Sequence, residues 1–233
     1  MATLKAPKTI SKRQELRKDA ATTVFVKAQE FFYDNRTLVY GIAVGVVVVL
    51  LAIVGFAFLQ SQRGVQAEEV LGGIILVYER GDYRAALDGT PEAVGLLEII
   101  DDYGGTPAGN MARFYAADAS FRLGDYDQAL EFFQDFGGGD DIVGASALAG
   151  EAAIYEIKED YARAGDLFRQ AALLEENELR SPDYLMGAGR AYEKAGQYQD
   201  AHNAYQRIKD QYPASVQAQG VDFFLGRVGA KLN

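Results

Sequence analysis

The chain holds a single histidine, His202, and no cysteine, so the side chains that most often bind zinc or move protons in catalysis are nearly missing. Without a thiol, neither a disulfide framework nor a thiolate metal site can form, and the redox compartment is left open. His202 falls on a helical stretch between Ala201, a close-packing position, and Tyr205. It reads there as a surface or packing residue rather than a catalyst. Gly137-Gly138-Gly139-Asp140-Asp141 is an acidic glycine run, but it lacks the alternating ligands and distal glutamate of a calcium loop. It reads as a turn between helices. No phosphate-binding glycine loop and no nucleophile elbow is present. The expectation is a protein that is not an enzyme, with no cofactor and no metal, whose chemistry is recognition.

Charge is divided unevenly over the 233 residues. Residues 1–37 carry eight Lys/Arg and four Asp/Glu, whereas residues 60–233 carry fifteen and twenty-nine. The acidic segment repels phosphate, which supplies most of the affinity for nucleic acid, so no nucleic-acid function is expected. The same acidity suits a saline environment or a demand for solubility.

Between the two lies Leu38 to Leu59, LVYGIAVGVVVVLLAIVGFAFL, without one charge. As a helix it spans roughly 33 Å, enough for a hydrocarbon core of about 30 Å. A signal peptide has a shorter apolar run, and only a weak Val65-Gln66-Ala67 could serve as a cleavage site. Lys5, Lys8, Lys12, Arg13, Arg17, Lys18, Lys27 and Arg36 precede the helix, and Arg63 is the first cation after it. The positive-inside rule then predicts a single pass, with the N-terminus cytoplasmic and residues 60–233 exported. In a bacterium with two membranes this is the periplasm. The expected organisation is a basic cytoplasmic arm over 1–37, a transmembrane helix over 38–59 and a periplasmic domain over 60–233. Phe25, Ala28 and Phe32 give the arm a short amphipathic stretch, and Gly41 with Gly45 forms a small pair on the membrane helix.

Within the exported domain a short phrase recurs. Gly81-Asp82-Tyr83 precedes Ala86, Gly124-Asp125-Tyr126 precedes Ala129, Glu159-Asp160-Tyr161 precedes Ala164, and Gly196-Gln197-Tyr198 precedes Ala201. The tyrosines are 43, 35 and 37 residues apart, a solenoid spacing. Glycine suits the residue after a helix C-terminus, and the alanine marks close approach of two helices. Phe133, Phe168 and Tyr205 follow four residues later on the same face. Thr90-Pro91, Thr106-Pro107 and Ser181-Pro182 read as helix starts. Val216 to Lys231 reads as a final capping helix.

This pattern resembles the tetratricopeptide repeat family over roughly residues 66–213, with units near 110–143, 145–178 and 182–215 and a loose fit over 66–109. The expected fold is all-α, a transmembrane helix followed by an α-α superhelix. The resemblance implies a concave groove for protein partners, lined by first-helix positions. These correspond to Met111, Phe114, Asp118 and Arg122 in one unit, and to Ala149, Ala153 and Glu156 in the next. Asp183, Met186, Arg190 and Lys194 complete the set in the third. The family's cationic carboxylate clamp has no counterpart, since its positions hold Phe114, Asp118, Gly150, Asp183 and Gly187.

The layout of basic arm, signal-anchor helix and acidic repeat domain resembles the ancillary SecYEG translocon subunit family. Phe31 to Arg36, and Asp101-Asp102-Tyr103 through Gly124-Asp125-Tyr126, carry the likeness. It implies a scaffold in the inner membrane that assists the translocon or a periplasmic chaperone network, with exported polypeptides, the translocon or a folding factor as partners. The alternative is a structural adaptor in cell-wall, secretion or outer-membrane assembly. No feature of the sequence sets an oligomeric state.

Overall fold

The computed structural model describes residues 33–138, 142–174 and 176–232. The basic residues before Arg36, the stretch at Phe25, Ala28 and Phe32, and Gly139 to Asp141 lie outside the described residues. The fold is all-α. The helices are α1 (Arg36–Glu79), α2 (Tyr83–Asp88), α3 (Leu96–Tyr103), α4 (Pro107–Leu123) and α5 (Tyr126–Asp135). They continue as α6 (Ile142–Ile157), α7 (Tyr161–Leu174), α8 (Ser181–Lys194) and α9 (Tyr198–Gln211), then a 3-10 turn (Gln217–Gly220) and α10 (Val221–Leu232).

Two compact units divide the chain at residues 59 and 60. In the first, α1 carries a window of mean hydropathy 3.1, long and apolar enough to cross a membrane. Its large apolar side chains are exposed around the whole helix, from Leu38 to Leu59. In water such a surface would be strongly unfavourable, whereas in lipid every backbone group is already bonded within the helix. Just before it, the Arg36 guanidinium lies 4.7 Å from the centre of the Tyr33 ring.

The second unit is built from helix pairs. The last turns of α1 contribute Ile74 and Val77 to a core with Leu87, Leu96, Ile99, Ala112 and Ala116. The pairs α4/α5, α6/α7 and α8/α9 follow, and α10 closes the last core with Val221 and Val228. Ala86, Ala129, Ala164 and Ala201 are all fully buried, as their recurrence predicts. So are Ala117, Ala152 and Ala171.

The turns explain the phrase. Gly81, Gly124 and Gly196 have φ of 83°, 84° and 75°, and Glu159 takes the same left-handed place at 62°. At Gly124, the Gly124 amide donates to Phe121 O and the Asp125 amide to Ser120 O, capping two end carbonyls at once. The same two bonds recur at Glu159–Asp160 and at Gly196–Gln197. A side chain at positive φ costs about 1 kcal/mol or more, which glycine avoids at some loss of chain entropy. Glu159→Gly is therefore expected to stabilise the fold by roughly 0.5–1 kcal/mol, read as a higher urea midpoint with an unchanged slope.

Two helix starts differ from expectation. Thr106 caps α4 as predicted, its hydroxyl oxygen accepting the Gly109 amide at 3.0 Å. Thr90-Pro91 opens no helix. Thr90 Oγ1 accepts the amides of Glu92 and Ala93 in a tight turn, and α3 begins only at Leu96 after Gly95. The hydroxyl that would cap a helix is spent on the turn. At α8, Ser181 is itself the first helical residue, with Arg180 at the cap position.

Candidate protein-binding surface

The first helices α4, α6 and α8 carry the predicted groove positions. On α4, Met111, Phe114 and Asp118 are half-buried and Arg122 is exposed. Phe114 belongs to an aromatic group, its ring centre 5.8 Å from Tyr115, 6.2 Å from Phe133 and 5.7 Å from Phe136. Asp118 accepts hydrogen bonds from Tyr78 Oη of α1 and from Arg122 Nε. On α6, Ala149, Ala153 and Glu156 are half-buried. Glu156 joins the next unit through Lys194 Nζ at 3.6 Å, and that ammonium also lies 4.8 Å from the Tyr161 ring centre.

The α8 positions separate. Asp183, Arg190 and Lys194 are exposed, and Asp183 accepts a hydrogen bond from Gln217. Met186, only 9% exposed, is held in the core that α10 completes. A helix that closes a solenoid must cover apolar surface of the last repeat, and Met186 belongs to what it covers.

Tyrosine hydroxyls set the spacing of the helices behind this surface. Tyr192 of α8 donates to Asp166 of α7 at 2.8 Å and accepts from Arg169 Nε at 3.1 Å. Tyr205 of α9 donates to Glu193 of α8 at 2.7 Å, and Arg227 of α10 grips the same carboxylate at 2.7 and 2.8 Å. Burial, with Asp166 adding to it, pushes the Tyr192 hydroxyl up to about 12. Burial and the neighbouring carboxylate raise Tyr78 and Tyr205 still further, so all three donate as neutral phenols across the physiological range. Glycine fits where the rings press. A Cβ at Gly165 would sit 2.6 Å from the Tyr192 ring, and one at Gly189 would fall inside contact distance of Tyr205.

Sequence reasoning missed the contribution of α1. Leu71, Gly72 and Ile75, with Glu68, form a cleft of about 380 Å³ with Pro107, Ala108, Met111 and Tyr115 of α4. Leu71 and Ile75 stand one helical turn apart, a legible signal, but they lie in the stretch that fits the repeat pattern loosely. His202 is half-buried on α9. Among the described residues, no group of three or more His, Asp or Glu is placed to hold a metal ion.

Residues 111–137 and 183–215 match the tetratricopeptide repeat family. No curated relative matches the sequence. Among solved structures, the nearly identical TPR-like repeats of a Podosopora anserina protein assigned as a kinesin light chain superpose with a TM-score of 0.51 at 14% identity. The match covers 70% of this chain and 85% of that one. A variant of the same repeats, altered at a single residue, gives the same score and identity over 84% of its length. At this identity the likeness concerns the fold. The pair α6/α7 lies outside the matched residues yet repeats the arrangement on either side of it. Two segments of the chain thus match the tetratricopeptide repeat, within an all-α fold preceded by one helix apolar enough to cross a membrane.

Proposed function

We propose that the protein is a membrane-anchored, protein-binding scaffold of the bacterial envelope. Residues 1–37 lie in the cytoplasm, 38–59 cross the inner membrane and 60–233 work in the periplasm. One observation carries the reading: consecutive helix pairs present accessible first-helix side chains, with Ala149, Ala153, Arg190 and Lys194 among them. Stacked repeats of this kind bind polypeptides along the first-helix face. The layout of arm, anchor and acidic repeats supports a place beside the Sec translocon or a periplasmic chaperone network, receiving exported chains.

Because the chain has no cysteine, its topology can be read with single thiols. Leu179→Cys, at a site 80% exposed, is expected to react with a membrane-impermeant maleimide once the outer membrane is opened. Protection until the inner membrane is lysed would reverse the orientation. Function is tested by a photo-crosslinking residue at Ala153 in living cells, with mass spectrometry of the products. Nascent exported chains together with translocon components are expected. A single stoichiometric envelope protein, with no exported chains, would replace this reading by that of a structural adaptor.

A further inference from the structure

The cleft between α1 and α4 is apolar, like the one that Phe133, Phe136, Leu148 and Leu174 line beside Glu151, but the Glu151 carboxylate is paired with Arg163. The walls of the α1–α4 cleft come from Leu71, Ile75, Met111 and Tyr115, and Glu68 is its one charged lining residue among those described. Its volume of about 380 Å³ is at the small end of ligand sites. The two cations of α4 are committed elsewhere. Arg113 Nη1 donates to Gly104 O at 2.8 Å, and Arg122 is held by Asp118. Glu68 makes no ion pair among the described residues.

Gly72 lines the cleft. Glycine in the middle of a helix is unfavourable, and at Gly189, Gly165 and Gly150 an aromatic ring occupies the space a side chain would need. At Gly72, as at Gly64, Gly226 and Gly229, nothing lies within 4 Å of a built Cβ. No packing among the described residues calls for a glycine there, and the missing side chain leaves the cleft open.

We infer that this cleft holds an apolar side chain of a polypeptide whose flanking residues are lysine or arginine. The inference rests on the scaffold reading and names the chemistry of the segment bound. Charge complementarity selects the occupant: Glu68 stands at the cleft with no ion-pair partner among the described residues, and residues 60–233 carry twenty-nine acids against fifteen bases. An acidic or purely polar segment would meet repulsion at the edge and gain little from the walls.

The test uses the intact protein in nanodiscs and two labelled peptides read by fluorescence anisotropy. Both contain a leucine–phenylalanine core, flanked by lysine and serine in one and by glutamate and serine in the other. The lysine peptide is expected to bind about tenfold more tightly. Gly72→Leu fills the cleft and is expected to weaken that binding about tenfold without lowering the melting temperature. Glu68→Lys is expected to erase the preference between the peptides. Equal binding of both peptides, binding of neither, or wild-type affinity in Gly72→Leu overturns the inference. Ala153→Arg separates the two readings. If it abolishes binding while Gly72→Leu does not, the cleft fails and the scaffold stands. The scaffold reading itself falls if the Ala153 crosslinker captures no exported chains in cells.

Discussion

Replacing Tyr205 with alanine is expected to remove about 4 kcal/mol of stability, within the range for deleting a large buried aromatic side chain. Tyr205 is fully buried. Its ring lies against Gly189 and, with centres 5.2 Å apart, against Phe224 of α10. Its hydroxyl holds Glu193, which in turn holds Arg227. The substitution therefore opens a cavity and loosens the contact between the last repeat and its cap. In a solenoid this loss stays near the site, because each unit touches only its neighbours. Hydrogen exchange should rise over 181–232 and stay low over 107–135. Tyr205→Phe keeps the ring and removes one hydrogen bond, so it should cost about 1 kcal/mol. A phenylalanine variant as unstable as the alanine variant would place the energy in the hydroxyl network rather than in packing.

Gly189→Leu is expected to destabilise the same region by about 3 kcal/mol or more, although leucine is the better helix former. A Cβ at this position would come within 2.8 Å of the Tyr205 ring even at Cδ1, and the ring is walled in by α8, α9 and α10. Urea melts of Gly189→Leu, Tyr205→Ala and the double variant form a cycle. The leucine can enter the space that the tyrosine vacates, so the double variant should be more stable than the sum of the single losses implies, by about 1 kcal/mol or more. Strict additivity would mean that the ring and the glycine do not share that space. Gly72→Leu makes the same exchange of side chains on α1 and is expected to leave stability unchanged or higher, because open space surrounds it.

Much of this architecture is legible in single residues. The charge-free run from Leu38 to Leu59 announces a helix that cannot be buried by the rest of a small domain. Gly81, Gly124 and Gly196 announce their turns because only glycine takes a left-handed backbone without penalty. Glu159 shows the limit of that rule. The turn forms there with the same bonds, and only the spacing of the phrase betrays it. Thr90 is a second limit, since a hydroxyl before proline serves a tight turn as readily as a helix start.

The proposed groove was legible only as a set of positions. First-helix spacing places Met111, Phe114, Asp118, Arg122, Ala149, Ala153, Glu156, Asp183, Met186, Arg190 and Lys194 on helix faces. It does not say which of those faces another element will cover. Met186 is covered because α10 folds back over the last repeat, and Asp118 is engaged because Tyr78 reaches it from forty residues away. The cleft of α1 and α4 likewise joins Leu71 to Met111 across that same separation. Local pattern determined the helices, their turns, the apolar span and the close-packed alanines, since each depends on interactions within a few residues. Tertiary structure alone decided which surfaces stay open, because exposure is settled by contacts between segments that no local spacing encodes.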